Sequence, residues 1–170
     1  LSMTFFAGTA PGDEIADYSV SYNTDNTETK SFTKNQYLVG ALFKDAATLT
    51  AADTDAPLGK STSFRKKLGS PALSVLAADF TRSKSETFFA TQLGKGDEIA
   101  DYSINYNTDN TETKSYSKNQ YLVGALFKDA AALTAADTDA PLGKSTSFKK
   151  KLGAGALSIL AADFTRSKSE

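Results

Sequence analysis

Polar and apolar positions alternate over Asp17-Tyr-Ser-Val-Ser-Tyr22 and again over Asp101 to Tyr106. This period of two predicts a half-buried strand with Tyr18, Val20 and Tyr22 facing inward. Asn23-Thr-Asp-Asn26 follows as a turn, because Asn and Asp side chains hydrogen-bond to nearby backbone there. Thr27 to Thr33 then reads as the returning strand, and Thr4 to Ala7 as a short strand ahead of a loop at Gly8 to Gly12.

The longest mostly apolar run, Asn35 to Leu49, recurs as Asn119 to Leu133. As a helix it places Leu38, Leu42, Ala46 and Leu49 on one stripe, with Val39, Phe43 and Ala47 beside it and Asn35 as cap. As a strand, Tyr37 to Phe43 is a short buried run, and Gly40 costs a helix about 1 kcal/mol relative to Ala. Leu and Ala dominate and the apolar positions continue past Phe43, so the helix is the preferred reading. Apolar on two faces, the run is expected inside the core. Thr50 to Gly59 reads as a loop. Thr62 to Leu68 reads as a short helix capped by Ser61 and stopped by Gly69 and Pro71, with Ala72 to Phe80 as a closing strand.

Asp13 to Glu86 aligns without gaps to Asp97 to Glu170, an offset of 84, with nine differences over those 74 positions. Thr4-Phe-Phe-Ala7 likewise matches Thr87-Phe-Phe-Ala90, after which one residue is inserted. A period of this length suits a small domain rather than a solenoid unit. The expected architecture is therefore α+β: two tandem sheet-dominated domains, residues 4–86 and 87–170, each with one or two short helices. The join Thr81-Arg-Ser-Lys-Ser-Glu86 has no Pro or Gly, so the two halves should touch, and strand exchange between them is the alternative. Leu1 and Ser2 ahead of Met3 read as an added or trimmed end and are set aside.

Composition is that of an ordinary globular protein, 40% hydrophobic and 23% charged. Nineteen basic residues against twenty acidic ones give no whole-molecule attraction to nucleic acid or anionic membrane. The chain has no Cys and no His, which removes thiolate chemistry, the commonest general base and the commonest transition-metal ligand. No apolar run reaches membrane-spanning length and no signal peptide is evident, so a soluble protein of undetermined compartment is expected.

The strongest local charge feature is the basic set Lys60, Arg65, Lys66 and Lys67, repeated as Lys144, Lys149, Lys150 and Lys151. It is the candidate partner-binding surface; cations at a helix C-terminus are the bland reading. Asp25 and Asn26, repeated as Asp109 and Asn110, are the candidate ligand-binding residues. With Glu28 and Glu112 they supply oxygens of the kind calcium takes, but turn chemistry explains them without metal. Gly59-Lys-Ser-Thr62 resembles the end of a phosphate-binding loop, yet Thr54 stands where its leading Gly belongs and Pro57 removes a backbone donor. Asp13, Glu14 and Asp17 are the nearest thing to clustered carboxylates for acid–base work, and nothing in the sequence raises the pKa of one of them. Tyr18, Tyr22, Phe32 and Tyr37 suit either an aromatic sugar platform or a core.

Ser147-Phe-Lys-Lys-Lys-Leu-Gly-Ala-Gly-Ala-Leu-Ser-Ile159 reads as a short polar helix, a glycine turn and an apolar strand. Over less than a fifth of a repeat it resembles the closing segment of small phycobilisome linker polypeptides, which would imply an assembly role. Repeat 1 departs from it with Ser70-Pro71.

Duplication without catalytic chemistry gives the functional expectation: a non-enzymatic assembly or scaffolding protein that bridges protein partners through two equivalent surfaces, with no cofactor and no metal. The alternative is a bivalent module for a small ligand or carbohydrate, with one site per repeat.

Overall fold

The computed structural model describes residues 1–8, 14–65, 80, 82–150 and the strand at 164–166. Its architecture is all-β. Eleven strands form one antiparallel sheet that runs through both repeats: β1 (Ser2–Ala7), β2 (Ile15–Tyr22), β3 (Thr29–Val39), β4 (Leu42–Asp45), β5 (Leu58–Arg65), β6 (Ser83–Ala90), β7 (Ile99–Tyr106), β8 (Thr113–Val123), β9 (Leu126–Asp129), β10 (Leu142–Lys150) and β11 (Phe164–Arg166). The spatial order is β1-β2-β3-β5-β6-β7-β8-β10-β11, with β4 and β9 flanking β3 and β8. The helical content described is 3-10 alone: Phe80 and the turns at Ala46–Thr48, Ala51–Asp53 and their copies at Ala130–Ala132 and Ala135–Asp137.

The expectation of two α+β domains is thus corrected. Both predicted helices fail for identifiable reasons. Within residues 35–49, Gly40 has φ +62° and opens a two-residue turn, after which the chain pairs back on itself with Val39 opposite Leu42 and Leu38 opposite Phe43. Glycine takes that left-handed angle without the steric cost other residues meet. The run is interior only in part: Tyr37 and Ala46 are buried, but Leu42 is 68% exposed and Phe43 42%. The predicted helix from Thr62 is strand β5 as far as Arg65, paired to β3 with Phe64 opposite Phe32 and Thr62 opposite Lys34. Residues 66–68 lie outside the described residues, as does the expected closing strand before Phe80. Leu1 and Ser2 belong to the sheet: Ser2 pairs with Ser21, and the Tyr22 amide donates to the Leu1 carbonyl at 2.9 Å.

Side chains alternate across the sheet, so each strand feeds two faces. On one face Val20, Phe32 and Phe64 are buried beneath Phe5, Tyr18, Tyr22 and Phe80. On the other, Tyr37, Ala46 and Ala56 form a second cluster with Ile15 and Leu49, closed over by the 3-10 turns. Tyr37 donates its hydroxyl to the Ala16 carbonyl at 2.7 Å, so its buried polar end is satisfied.

Gly59 owes its identity to close packing against Phe43 and Leu38. A Cβ there would lie 2.7 Å from Phe43 Cε1 and 3.1 Å from Leu38 Cβ. Gly59→Ala is expected to cost about 1–3 kcal/mol in urea unfolding, because the Leu38 contact is fixed to the backbone even if the Phe43 ring swings away. Adding Phe43→Ala should recover only part of the loss; full recovery would show that the ring alone sets the constraint.

Candidate functional site

The most elaborate arrangement of polar groups lies where the repeats meet. Ser83–Ala90 carry the chain from the end of repeat 1 into the start of repeat 2 as one strand, β6, and the boundary between Glu86 and Thr87 falls inside it. β6 pairs with β5 on one side and β7 on the other, with Ser61 opposite Thr87 and Thr87 opposite Ser103.

Glu86 is the centre of this joint. One carboxylate oxygen accepts from Lys60 Nζ at 3.1 Å and from Thr62 Oγ1 at 3.5 Å, and the other accepts from Tyr106 Oη at 2.7 Å. Lys60 lies between the rings of Phe43 and Phe88, 5.5 and 5.8 Å from their centroids, which adds cation–π attraction to the ion pair. Burial first, then the hydrogen bond and charge of Glu86, push the Tyr106 phenol well above the ordinary tyrosine range. Around this pair the sheet forms a shallow groove of about 230 Å³ lined by Lys34, Asp45, Lys60, Phe64, Phe80 and Glu86. Asp45 accepts from Lys34 at 2.8 Å and Gln36 at 2.9 Å. Burial pushes its carboxyl up, but those hydrogen bonds and the Lys34 charge outweigh it and hold the pKa below the usual value.

Four further side chains fasten the joint. Glu98 accepts from the Leu58 amide at 2.8 Å, and Lys95 donates to the Thr54 carbonyl at 2.6 Å. Arg65 reaches the carbonyls of Ser83, Asn107 and Tyr106 at 3.2, 3.2 and 3.4 Å, and Arg82 reaches that of Thr108 at 3.1 Å. The basic residues of repeat 1 therefore hold the backbone of the Asx turn of repeat 2.

The sequence-predicted site residues are distributed differently from their expected helix. Lys60 and Arg65 both lie on β5, five positions apart, and project to opposite faces of the sheet. Lys144, Lys149 and Lys150 lie on β10, while Lys66, Lys67 and Lys151 are outside the described residues. Asp25, Asn26, Asp109 and Asn110 sit in the β2–β3 and β7–β8 turns. There Asn23 and Asn107 do the turn chemistry: Asn23 Oδ1 accepts from the Thr27 and Glu28 amides at 2.9 and 3.2 Å, and Asn107 Oδ1 from those of Thr111 and Glu112 at 2.9 and 3.3 Å. Asn26 and Asn110 supply the positive φ, 55° and 57°. Among the described residues no three carboxylates converge as a metal site would require. Asp17 is half-buried with one oxygen unpartnered, and desolvation raises its pKa despite Lys34; Glu14 is exposed and Asp13 lies outside the described residues. Of the resemblance noted at Ser147–Ile159, residues 147–150 are strand rather than helix, and the remainder is outside the described residues.

Sequence reading missed Glu86, Arg82 and Lys95, and it singled out Glu98 only as a carboxylate for hydrolysis. The available signal was the join itself: a polar segment without Pro or Gly, running straight into Thr87-Phe-Phe, is able to continue as a strand.

The tyrosines give this region a pH signature. Burial, then the charges of Glu98 and Asp17, push the Tyr37 phenol up to about 12. The folded chain then keeps a proton that the unfolded chain releases near pH 10. Stability is constant from this source below about pH 10 and falls as pH rises from there through about 12. The stability advantage of the native chain over Tyr37→Phe should therefore shrink across that window in urea titrations; a constant difference would sink the assignment.

The chain matches no protein family, no curated protein sequence and no solved structure. Among the described residues, no helix is long and apolar enough to cross a membrane.

Proposed function

We propose that this chain is a non-enzymatic assembly protein, whose repeats present equivalent surfaces at a fixed spacing along one sheet. The observation that carries this reading is the shared strand β6, which fuses the end of one repeat to the start of the next instead of leaving a linker. A rigid joint fixes the distance between equivalent positions such as Lys34 and Lys118, so two partners would be held in defined register. Size-exclusion chromatography of a gentle extract of its source, with antibody detection, tests it. Elution within a much larger particle supports the reading, and elution near 18 kDa overturns it.

The groove over Phe64 and Phe80 favours a second reading, a small-ligand module with one site per repeat. Its paired charges, Lys34 with Asp45 and Lys60 with Glu86, suit a zwitterionic or polyhydroxy ligand. Calorimetry giving two equal sites, with one lost in Lys60→Ala, would support that reading over assembly.

A further inference from the structure

Repeat 1 holds a cavity whose counterpart repeat 2 fills with its own chain. We infer that this cavity binds a partner's polypeptide segment in which a glutamine is followed by an aliphatic residue, the glutamine amide donating to the backbone carbonyls of Ala46 and Leu49. The inference rests on the assembly reading for the source of the segment, and on the cavity alone for its chemistry.

The filled copy shows what the site takes. In repeat 2 strand β6 ends at Ala90 and the chain continues as Thr91-Gln-Leu-Gly-Lys-Gly96. Gln92 Nε2 donates to the Ala130 carbonyl at 2.7 Å and to the Leu133 carbonyl at 3.4 Å. These two carbonyls bracket the 3-10 turn Ala130–Ala132. Ala130 already accepts from the Leu133 amide at 3.2 Å, so Gln92 takes its second lone pair. Leu93 packs on the cluster of Ala90, Tyr121, Ala130 and Leu133, and Leu133 is only 3% exposed.

Repeat 1 has the same walls. A cavity of about 150 Å³ is lined there by Ala7, Ile15, Ala46, Leu49, Thr50 and Thr54, the first four being the counterparts of Ala90, Ile99, Ala130 and Leu133. The turn has the same form, with the Leu49 amide donating to the Ala46 carbonyl at 3.2 Å. Leu49, however, is only half-buried. Where repeat 2 reads Thr91 to Gly96, repeat 1 reads Gly8-Thr-Ala-Pro-Gly12, one residue shorter. Residues 9–13 lie outside the described residues, but their sequence, Thr-Ala-Pro-Gly-Asp, has neither a side-chain amide nor a leucine. Repeat 1 therefore has no counterpart of Gln92 or Leu93 in its own loop.

The walls select the ligand. Two neighbouring carbonyls match the two N–H donors of a primary amide, which carries no charge. A carboxylate offers only acceptors and would meet carbonyl oxygen with its own oxygen. No described residue lining the cavity is charged, so an ammonium would leave water without an anion to meet. Beside the carbonyls, Ala7, Ile15 and Leu49 form an apolar wall, and a cavity of about 150 Å³ has room for one branched aliphatic group.

The probe is the acetylated and amidated peptide Thr-Gln-Leu-Gly-Lys-Gly, the sequence of residues 91–96, titrated into the isotope-labelled chain and followed by nuclear magnetic resonance. The amide resonances of Ala46 to Ala51 should shift and saturate, while those of Ala130 to Ala135 stay in place. Changing the peptide's glutamine to glutamate should weaken binding about tenfold, the cost of losing the donors to both carbonyls. In a variant whose residues 9–11 are replaced by Gln-Leu-Gly-Lys the cavity is filled from within, so peptide binding should be lost and the thermal midpoint should rise. In the opposite direction, Gln92→Ala/Leu93→Ala empties the cavity of repeat 2, and the peptide should then shift Ala130 to Ala135 as well. No saturable shift at Ala46 to Ala51 with millimolar peptide, equal affinity for the glutamate peptide, or undiminished binding by the filled variant overturns the inference. The first two results need only the native chain, so a variant that fails to fold does not shield it. Peptide binding by a chain that elutes near 18 kDa from its source overturns the assembly reading and leaves the chemistry of the cavity standing.

Discussion

Phe32→Ala is expected to lower the free energy of unfolding by about 3–5 kcal/mol. Phe32 is fully buried, with Val20 opposite it on β2 and Phe64 opposite it on β5. Phe80 covers it with a ring centroid 5.5 Å away. Neighbours on two paired strands cannot collapse into the vacated volume without breaking the ladder, so the cavity remains and its cost adds to the lost burial. The second repeat supplies an internal control. Its equivalent residue is Tyr116, only half-buried, with Tyr102 and Phe148 at 5.5 and 6.0 Å. Tyr116→Ala should accordingly cost distinctly less, about 2 kcal/mol. Urea unfolding followed by circular dichroism reads both. A loss below about 1 kcal/mol for Phe32→Ala, or equal losses for the two variants, would mean that this cluster is not the principal core.

The strands on either side of Phe32 were legible because their signals are local. Tyr18, Val20 and Tyr22 alternate, Asn23 has the side chain a tight turn uses, and the hairpin they predict is β2–β3. The apolar run after it was misread because Leu and Ala content speaks for a helix while one angle decides the outcome. Gly40 enters a propensity sum as a cost of about 1 kcal/mol, but in the fold it is the turn that lets Leu38 and Val39 pair with Phe43 and Leu42. β5 was hidden differently. Ser61-Thr-Ser-Phe64 has strand character, yet the basic residues and Gly69 that follow look like a helix end, and the pairing that settles the matter is with β3, about 30 residues away. Strand propensity is largely a statement about such neighbours, which a local window does not contain. Gly59 shows the same limit: beside Lys60 and Ser61 it suggested phosphate, whereas the constraint on it comes from Leu38 Cβ and the ring of Phe43.

The joint residues were the least legible part of the site and carry the second large expectation. Glu86→Ala should destabilise the chain by about 2–3 kcal/mol. The substitution takes the acceptor from Lys60 and from Tyr106 together. Lys60 and Glu86 side chains are each 18% exposed, so water reaches the stranded ammonium and the cost stays below that of a fully buried orphan charge. Glu86→Gln keeps the shape and an acceptor for the Tyr106 hydroxyl but gives up the charge, and about 1 kcal/mol is expected for it. Removing the ammonium as well, in Lys60→Met/Glu86→Ala, should return part of the loss, because no unpaired charge is then left beside Phe43 and Phe88. A spectroscopic readout separates this from generic loss of packing. Burial contributes most to the upward shift of the Tyr106 phenol, and Glu86 adds to it through its hydrogen bond and its charge. In Glu86→Gln the burial remains and the charge does not, so one tyrosine of the alkaline ultraviolet titration should move down towards the ordinary range. Destabilisation with an unchanged phenol titration would mean that Glu86 holds the joint through Lys60 alone.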